Sequence, residues 1–373
     1  MNLSSFFNQF ISIVTISIEK TISSFNGERI KTRQDAMQKK NVCIIYTGGT
    51  IGMKRTENGY KPQNGYLPSL FSKISELQSD LMPSYTLIEM NPLLDSSNIS
   101  VKEWNKIGEI IFQNYETFDG FIVLHGTDTM SYTASALSFM LENLKKPVIL
   151  TGSQIPFSEV RNDAKDNLIT ALLIAAEETI PEVCLYFGGN LFRGNRSTKI
   201  SADALIAFDS PNYPALAHAG VRINIHKNVI LTPTCSPLFL QSLTEPSIAV
   251  LKIFPGIQFG ILENLVSSCL KGIVLEAFGA GNIPNYDPAF LRTLEKASEN
   301  GTIIVVCTQC LKGSAQIGAY ESSAVLKRNG VLSAYDMTVE AAVTKLYYLI
   351  SKGYSKKEIE CKMEENLRGE LTI

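Results

Sequence analysis

The sequence predicts an α/β protein: a doubly wound, mainly parallel sheet in a larger N-terminal domain, followed by a smaller α/β C-terminal domain. Three observations carry that expectation. Apolar, often β-branched runs recur along the chain, and each ends in a loop of Gly, Thr, Ser or Asn. Such continuous runs suit strands buried on both faces, as in a parallel sheet. Helical periodicity fills stretches between them. The chain has 373 residues and is 45% hydrophobic, enough for one large α/β domain or two moderate ones.

In chain order, IIYTGGT (44–50), FIVLHGTDT (121–129), VILTGSQ (148–154), VCLYFGGN (183–190), IVLEAFGAGN (273–282) and IIVVCTQC (303–310) read as strands running into loops. Met130, Ala134, Leu137, Leu141 and Leu144 share one helical stripe, as do Leu168, Ala171, Leu172 and Ala175. Val339, Ala342, Val343, Leu346 and Ile350 form another near the end. From about 222 to 247 the texture changes: Pro233, Pro237 and Pro246 interrupt mixed polar residues, which reads as a connection between domains. The expected division is an extension over 1–36, poorly ordered or helical, an N-terminal domain bearing the site loops over 37–225, a connection over 226–247 and a C-terminal domain over 248–373.

Residues 1–18 carry no charge, yet Asn2, Ser4, Ser5, Asn8, Gln9 and Ser12 make them too polar, and too short, for a membrane span. No basic residue precedes the apolar stretch, unlike a secretory signal. Leu3, Phe6, Phe7, Phe10, Val14 and Ile18 fall on one helical stripe. The segment therefore reads as a loosely attached extension, an interfacial anchor lacking the usual Lys and Arg, or a docking helix.

A formal net charge of −2 offers no basic surface for nucleic acid. Seven cysteines lie scattered from Cys43 to Cys361 without disulfide-scaffold spacing, which favours a reducing, cytoplasmic setting. Cys307-Thr-Gln-Cys310 is a lone CxxC, and with only three histidines in the chain no metal or cofactor is expected.

In open α/β sheets ligands gather at the carboxyl ends of strands, so Thr50, Thr127 and Asp128 are expected on one edge. Gly48-Gly49-Thr50 lacks the nucleotide-loop patterns GxGxxG and GxxxxGK[ST]. Its glycines make a tight turn, or they bring backbone N–H groups near Thr50, where they would steady an oxyanion beside a nucleophile. Asp128 and Thr129 cap the following helix or join a reactive site. A threonine hydroxyl needs a base nearby. Lys199 is either a solvated surface charge or that base, and Arg193 and Arg196 are close enough in sequence to lower its proton affinity. His125 reads as packing. Asp95-Ser96-Ser97 is a turn signal with several short polar groups on one loop. Tyr60 sits in the punctuated stretch 55–68, a mobile lid or an exposed connection. Taken alone, these residues describe a hydroxyl-rich pocket with a carboxylate, suited to acyl transfer on a small polar substrate.

YTGGTIGM (46–53) and LHGTDTMSYTASALSFMLENL (124–144) together resemble the bacterial-type L-asparaginases, specifically their cytoplasmic type I branch. The likeness continues through KPVILTGSQIPFSEVRND (146–163), RGNRSTK (193–199), TQC (308–310), YDMTVEA (335–341) and NLRGELT (366–372), covering residues 37–372. Because it starts at Met37, residues 1–36 are expected to be an added extension or a misassigned start.

The resemblance implies a two-domain fold assembled as a homodimer or homotetramer, hydrolysing L-asparagine to L-aspartate and ammonia. By matching motifs, it implies Thr50 as the nucleophile, Tyr60 as a lid tyrosine aiding Thr50, and Thr127, Asp128 and Lys199 as a second set that activates a hydroxyl or water. Asp95, Ser96 and Ser97, with Thr127 and Asp128, are implied to hold the substrate's α-amino and α-carboxylate groups. Some type I members carry an allosteric asparagine site, matched here by Thr308 and Cys310. Glu276 stands where an arginine would grip the effector's carboxylate, so hyperbolic kinetics are expected. Two rivals remain: an amino-acid sensor on the same scaffold, and the asparaginase-like subunit of a tRNA-dependent amidotransferase, which carries a larger added N-terminal domain.

Overall fold

The computed structural model describes residues 39–57, 59–258, 270–284, 288–318, 321–328 and 330–372. The helical stripe expected within residues 1–18 lies outside the described residues. Eight strands form the large sheet: β1 (Asn41–Gly48), β2 (Ser84–Leu94), β3 (Gly120–Leu124), β4 (Val148–Thr151), β5 (Val183–Phe187), β6 (Asn190–Arg193), β7 (Ala217–Ala219) and β8 (Ile223–Ile225). Their order is β8-β7-β6-β5-β4-β3-β1-β2. The strands from β5 to β2 run parallel, and β6, β7 and β8 continue the sheet antiparallel.

The apolar runs make these strands because both faces of the sheet are covered. In β1, Cys43 and Ile45 belong to one core cluster, whereas Val42, Ile44 and Tyr46 belong to another. Side chains alternate along a strand, so a run without polar interruption serves both faces at once. β2 lies on one side of β1, and β3, β4 and β5 on the other. The chain therefore reverses its winding between β1 and β3, the crevice where doubly wound sheets bind ligands.

Helices α1 (Val101–Asn114), α2 (Met130–Met140) and α3 (Ala164–Glu177) follow β2, β3 and β4. The helical stripe read through Leu144 is too long. Helix α2 ends at Met140, and Leu141–Glu142 pair antiparallel with Phe239–Leu240. Asn143 then takes a left-handed backbone, φ 66°, which no continuing helix accommodates. A second, four-stranded parallel sheet comprises β9 (Ile248–Lys252), β10 (Gly272–Ala277), β11 (Ile303–Thr308) and β12 (Leu332–Ser333). Helix α4 (Pro288–Glu299) precedes β11, and α5 (Val339–Ser351) follows β12.

Helix α5 packs on α2. Leu137 and Met140 share one core cluster with Leu346, Leu349, Val274 and Val305, so the two sheets meet through common apolar packing. The last residues return to the large sheet. Arg193 Nη1 donates to Gly369 O at 3.2 Å, Asn195 Nδ2 to Arg368 O at 3.1 Å and Arg196 Nη1 to Glu370 O at 3.0 Å. These bonds hold the backbone that leads out of β6 towards Lys199.

Candidate active site

The turn after β1 explains its own glycines. Gly48 and Gly49 have φ of 120° and 83°, a region that side chains disfavour. A Cβ on Gly48 would lie 2.1 Å from Leu94 O, and one on Gly49 would lie 2.3 Å from the Gly126 nitrogen. The loops after β1, β2 and β3 therefore touch backbone to backbone. The two threonines of the turn divide their work. Thr47 is buried and donates to Leu124 O at 3.0 Å, tying β1 to β3, while Thr50 is left facing a cavity. The expectation that the glycine amides serve an oxyanion needs correction at Gly49, whose N–H donates to Leu94 O at 3.1 Å.

That cavity, about 210 Å³, is lined by Thr50, Asp95, Ser96, Thr127, Asp128 and Lys199, drawn from four separate segments of the chain. Lys199 Nζ donates to Thr127 Oγ1 at 2.9 Å and to Asp128 Oδ1 at 2.6 Å. The lysine is not a solvated surface charge, since its side chain is 19% exposed, against 64% for Asp128. The neighbouring arginines are turned to other partners. Arg193 is paired with the buried Glu182 at 2.5 Å, and Arg196 with the half-buried Asp336 at 3.1 Å.

Helix capping does not account for the HGTDT stretch. Thr129 occupies the cap position of α2 without a side-chain cap bond, and its hydroxyl donates to Ser96 O at 2.7 Å. Asp95 does make the expected turn, accepting from Ser97 N at 3.0 Å and from Ser97 Oγ at 2.9 Å. Ser97 thus supports Asp95 and does not itself line the cavity. Tyr60 also lies apart from the lining. It sits on the hairpin formed by Met53–Thr56 and Gly59–Pro62, 44% exposed, with its hydroxyl donating to Glu159 Oε1 at 2.6 Å.

His125 packs, as read from the sequence. It is fully buried, and burial lowers its pKa to about 4, so the ring is neutral near pH 7. Its Nδ1 lies 2.7 Å from Gly126 O, which fixes the proton on Nδ1 and leaves Nε2 to accept from Thr133 Oγ1 at 2.9 Å. Trp104 Nε1 donates in turn to Thr133 at 3.0 Å. This chain orients the Gly126 carbonyl, immediately before Thr127.

Sequence reasoning missed Gln154, which also lines the cavity and accepts from Thr127 Oγ1 at 3.2 Å. The only signal was its place at the carboxyl end of β4, beside β3. Thr308, Cys310 and Glu276 come together elsewhere, around a second cavity of about 270 Å³ that Lys252, Asn212 and Glu340 also line. Lys252 Nζ stands 3.8 Å from Glu276 Oε1, and burial raises the Glu340 carboxyl above the usual range. Cys307 points into the core while Cys310 is exposed, so the CxxC is not one site. Among the described residues no group of three or more His, Cys, Asp or Glu is arranged to hold a metal ion, and no helix is long and apolar enough to cross a membrane.

The fold and the cavity at its winding switch define a member of the asparaginase family, and the chain belongs to it. The family model "Asparaginase, N-terminal" matches residues 41–231, and "Glutaminase/Asparaginase C-terminal domain" matches residues 247–363. The chain is 46% identical to L-asparaginase 1 of Escherichia coli strain K12 over 340 residues, covering 90% of this chain and 99% of that one. The crystal structure of L-asparaginase I from Vibrio cholerae superposes with a TM-score of 0.84 at 44% identity, covering 90% and 100% of the two chains. The thermostable L-asparaginase from Thermococcus kodakarensis gives a TM-score of 0.80 at 32% identity, covering 89% and 99%.

Proposed function

We infer that the protein is an L-asparaginase, an amidohydrolase that converts L-asparagine to L-aspartate and ammonia. In this reading the Thr50 hydroxyl attacks the side-chain amide carbon and ammonia leaves, forming an aspartyl ester. Water then cleaves the ester and restores Thr50. Thr127, Asp128 and Lys199 supply the proton transfers: as the Thr127 oxygen takes a proton from the Thr50 hydroxyl or from the attacking water, it passes its own to a neutral Lys199, which returns it to the departing ammonia in the first step and to the Thr50 oxygen in the second. Asp95 and Ser96 hold the α-amino and α-carboxylate groups, with Ser97 bracing Asp95, and Tyr60 reaches Thr50 when its hairpin leaves Glu159.

One observation carries the reading. Lys199 contacts both Thr127 and Asp128 within the cavity that Thr50 also lines. A proton leaving the Thr127 oxygen is therefore within one hydrogen bond of Lys199, which Asp128 holds in place. The cavity volume suits a small polar amino acid. A coupled ammonia assay tests the function: asparagine-dependent release is expected, whereas asparagine binding without ammonia would mark a sensor.

The same reading extends to a homodimer or homotetramer working in the cytoplasm. Among the described residues that line the second cavity, Glu276 and Glu340 are acidic and Lys252 is basic. A carboxylate-bearing effector is repelled there, and velocity is expected to rise hyperbolically with asparagine. Sigmoidal dependence abolished by Cys310→Ala contradicts this.

A further inference from the structure

We propose that Gln154 is a positioning residue for the reaction, aiming the Thr127 hydroxyl and bracing the Thr127 loop against the segment that follows Lys199. This rests on the reading of Thr127 and Lys199 as reacting groups.

The loop after β4 is held firmly enough for such a role. Asp163 accepts from the backbone N–H of Gln154 at 2.9 Å and of Ile155 at 3.0 Å. The Gln154 side chain then bridges two other loops. Its Oε1 accepts from Thr127 Oγ1 at 3.2 Å, and its Nε2 donates to Ala204 O at 3.2 Å. A backbone carbonyl only accepts, so Ala204 fixes which end of the amide faces which way. The amide oxygen must face Thr127, and it too only accepts.

This constrains a group that otherwise rotates freely. With its proton directed at Gln154, the Thr127 oxygen turns one lone pair to Lys199 Nζ, 2.9 Å away. The other is left for a donor in the cavity. In the resting site Thr127 therefore has a single hydroxyl orientation, set by a residue outside the Thr-Asp-Lys set, and its proton turns from Gln154 to a neutral Lys199 as the oxygen takes a proton from the cavity. Because Ala204 lies five positions beyond Lys199, the same amide also braces the chain carrying the lysine. Orientation of this kind matters chiefly in the transition state, where small displacements are costly in rate.

Three features follow. Gln154→Leu removes both bonds without adding charge, so kcat is expected to fall about tenfold to a hundredfold while KM changes by less than about threefold. That loss should be independent of pH. Gln154→Glu behaves differently. Ionised, it still accepts from Thr127 but opposes the Ala204 carbonyl. Protonated, it reproduces the amide, donating to Ala204 and accepting from Thr127.

The experiment measures kcat and KM from pH 5 to 8 for the wild type, Gln154→Leu, Gln154→Glu, Thr127→Ala and Lys199→Met. The expected result is a Gln154→Glu to wild-type kcat ratio that rises as pH falls, beside a flat, low ratio for Gln154→Leu. Wild-type kcat in Gln154→Leu, or a flat ratio for Gln154→Glu, overturns the proposal. If Gln154→Leu does not fold, the Gln154→Glu profile alone decides. Full turnover in Thr127→Ala and Lys199→Met sinks the underlying reading instead, so the two failures are distinguishable.

Discussion

Lys199–Asp128 and Lys345–Glu370 are lysine–carboxylate pairs of nearly equal length, 2.6 Å and 2.5 Å, in opposite surroundings. Both side chains of the second pair are wholly buried. Lys345 Nζ also donates to Met363 O at 3.0 Å and to Glu365 O at 2.5 Å, and Glu370 accepts from the backbone of Leu367 and Arg368. Donors and acceptors there are matched within the protein, which locks the C-terminal segment in place. The first pair opens onto a cavity, with Asp128 largely in solvent. What separates a structural ion pair from a reactive one is the hydrogen-bonding capacity left for something else.

That contrast can be broken at either end. The largest effect is expected at the cavity. Thr50→Ala should lower kcat by on the order of 10⁴-fold or more, and Lys199→Met by about 10²- to 10⁴-fold, both with little change in melting temperature. The reverse is expected in the buried pair. Lys345→Met strands the Glu370 carboxylate and should cost about 3–5 kcal/mol of stability in denaturant unfolding, while the protein that remains folded keeps its kcat.

A somewhat smaller effect sharpens the comparison through pH. Unfolded His125 takes a proton near pH 6.5, whereas the buried folded ring takes one only near pH 4. Between those values the unfolded chain binds more protons, so stability falls as pH drops from about 6.5 to about 4, by up to about 3 kcal/mol from this residue. His125→Asn, which keeps a donor for Gly126, should lessen that pH dependence in melting curves. The smallest change is expected at the rim. Glu159→Ala releases Tyr60 from its hydrogen bond and should alter kcat less than either cavity substitution, Thr50→Ala or Lys199→Met.

The strands were legible because burial on both faces leaves an apolar run, as Val42 to Ile45 shows, and because such runs end at ligand-binding edges. Thr50, Thr127, Asp128 and Lys199 could be singled out as hydroxyls, carboxylate and base, and the family resemblance joined them. Other features were hidden for physical reasons. The apolar stripe of α2 continues through Leu144, and nothing in that spacing shows that Leu141 leaves the helix to pair with Leu240. Proximity in sequence placed Arg193 and Arg196 beside Lys199, but their partners, Glu182 and Asp336, come from distant segments. Gln154 carries neither charge nor a nucleophile, so its role depends on an amide orientation that only Ala204 fixes.

The central claim is that Thr50 forms the covalent intermediate while the Thr127–Lys199 set resolves it. The most direct measurement is peptide mass mapping of the Thr127→Ala protein quenched during asparagine turnover, alongside Thr50→Ala. An aspartyl ester on Thr50, within residues 41–54, with none formed in Thr50→Ala, is the predicted result. An ester on Thr127 in the Thr50→Ala protein, or wild-type ammonia release without Thr50, would contradict it.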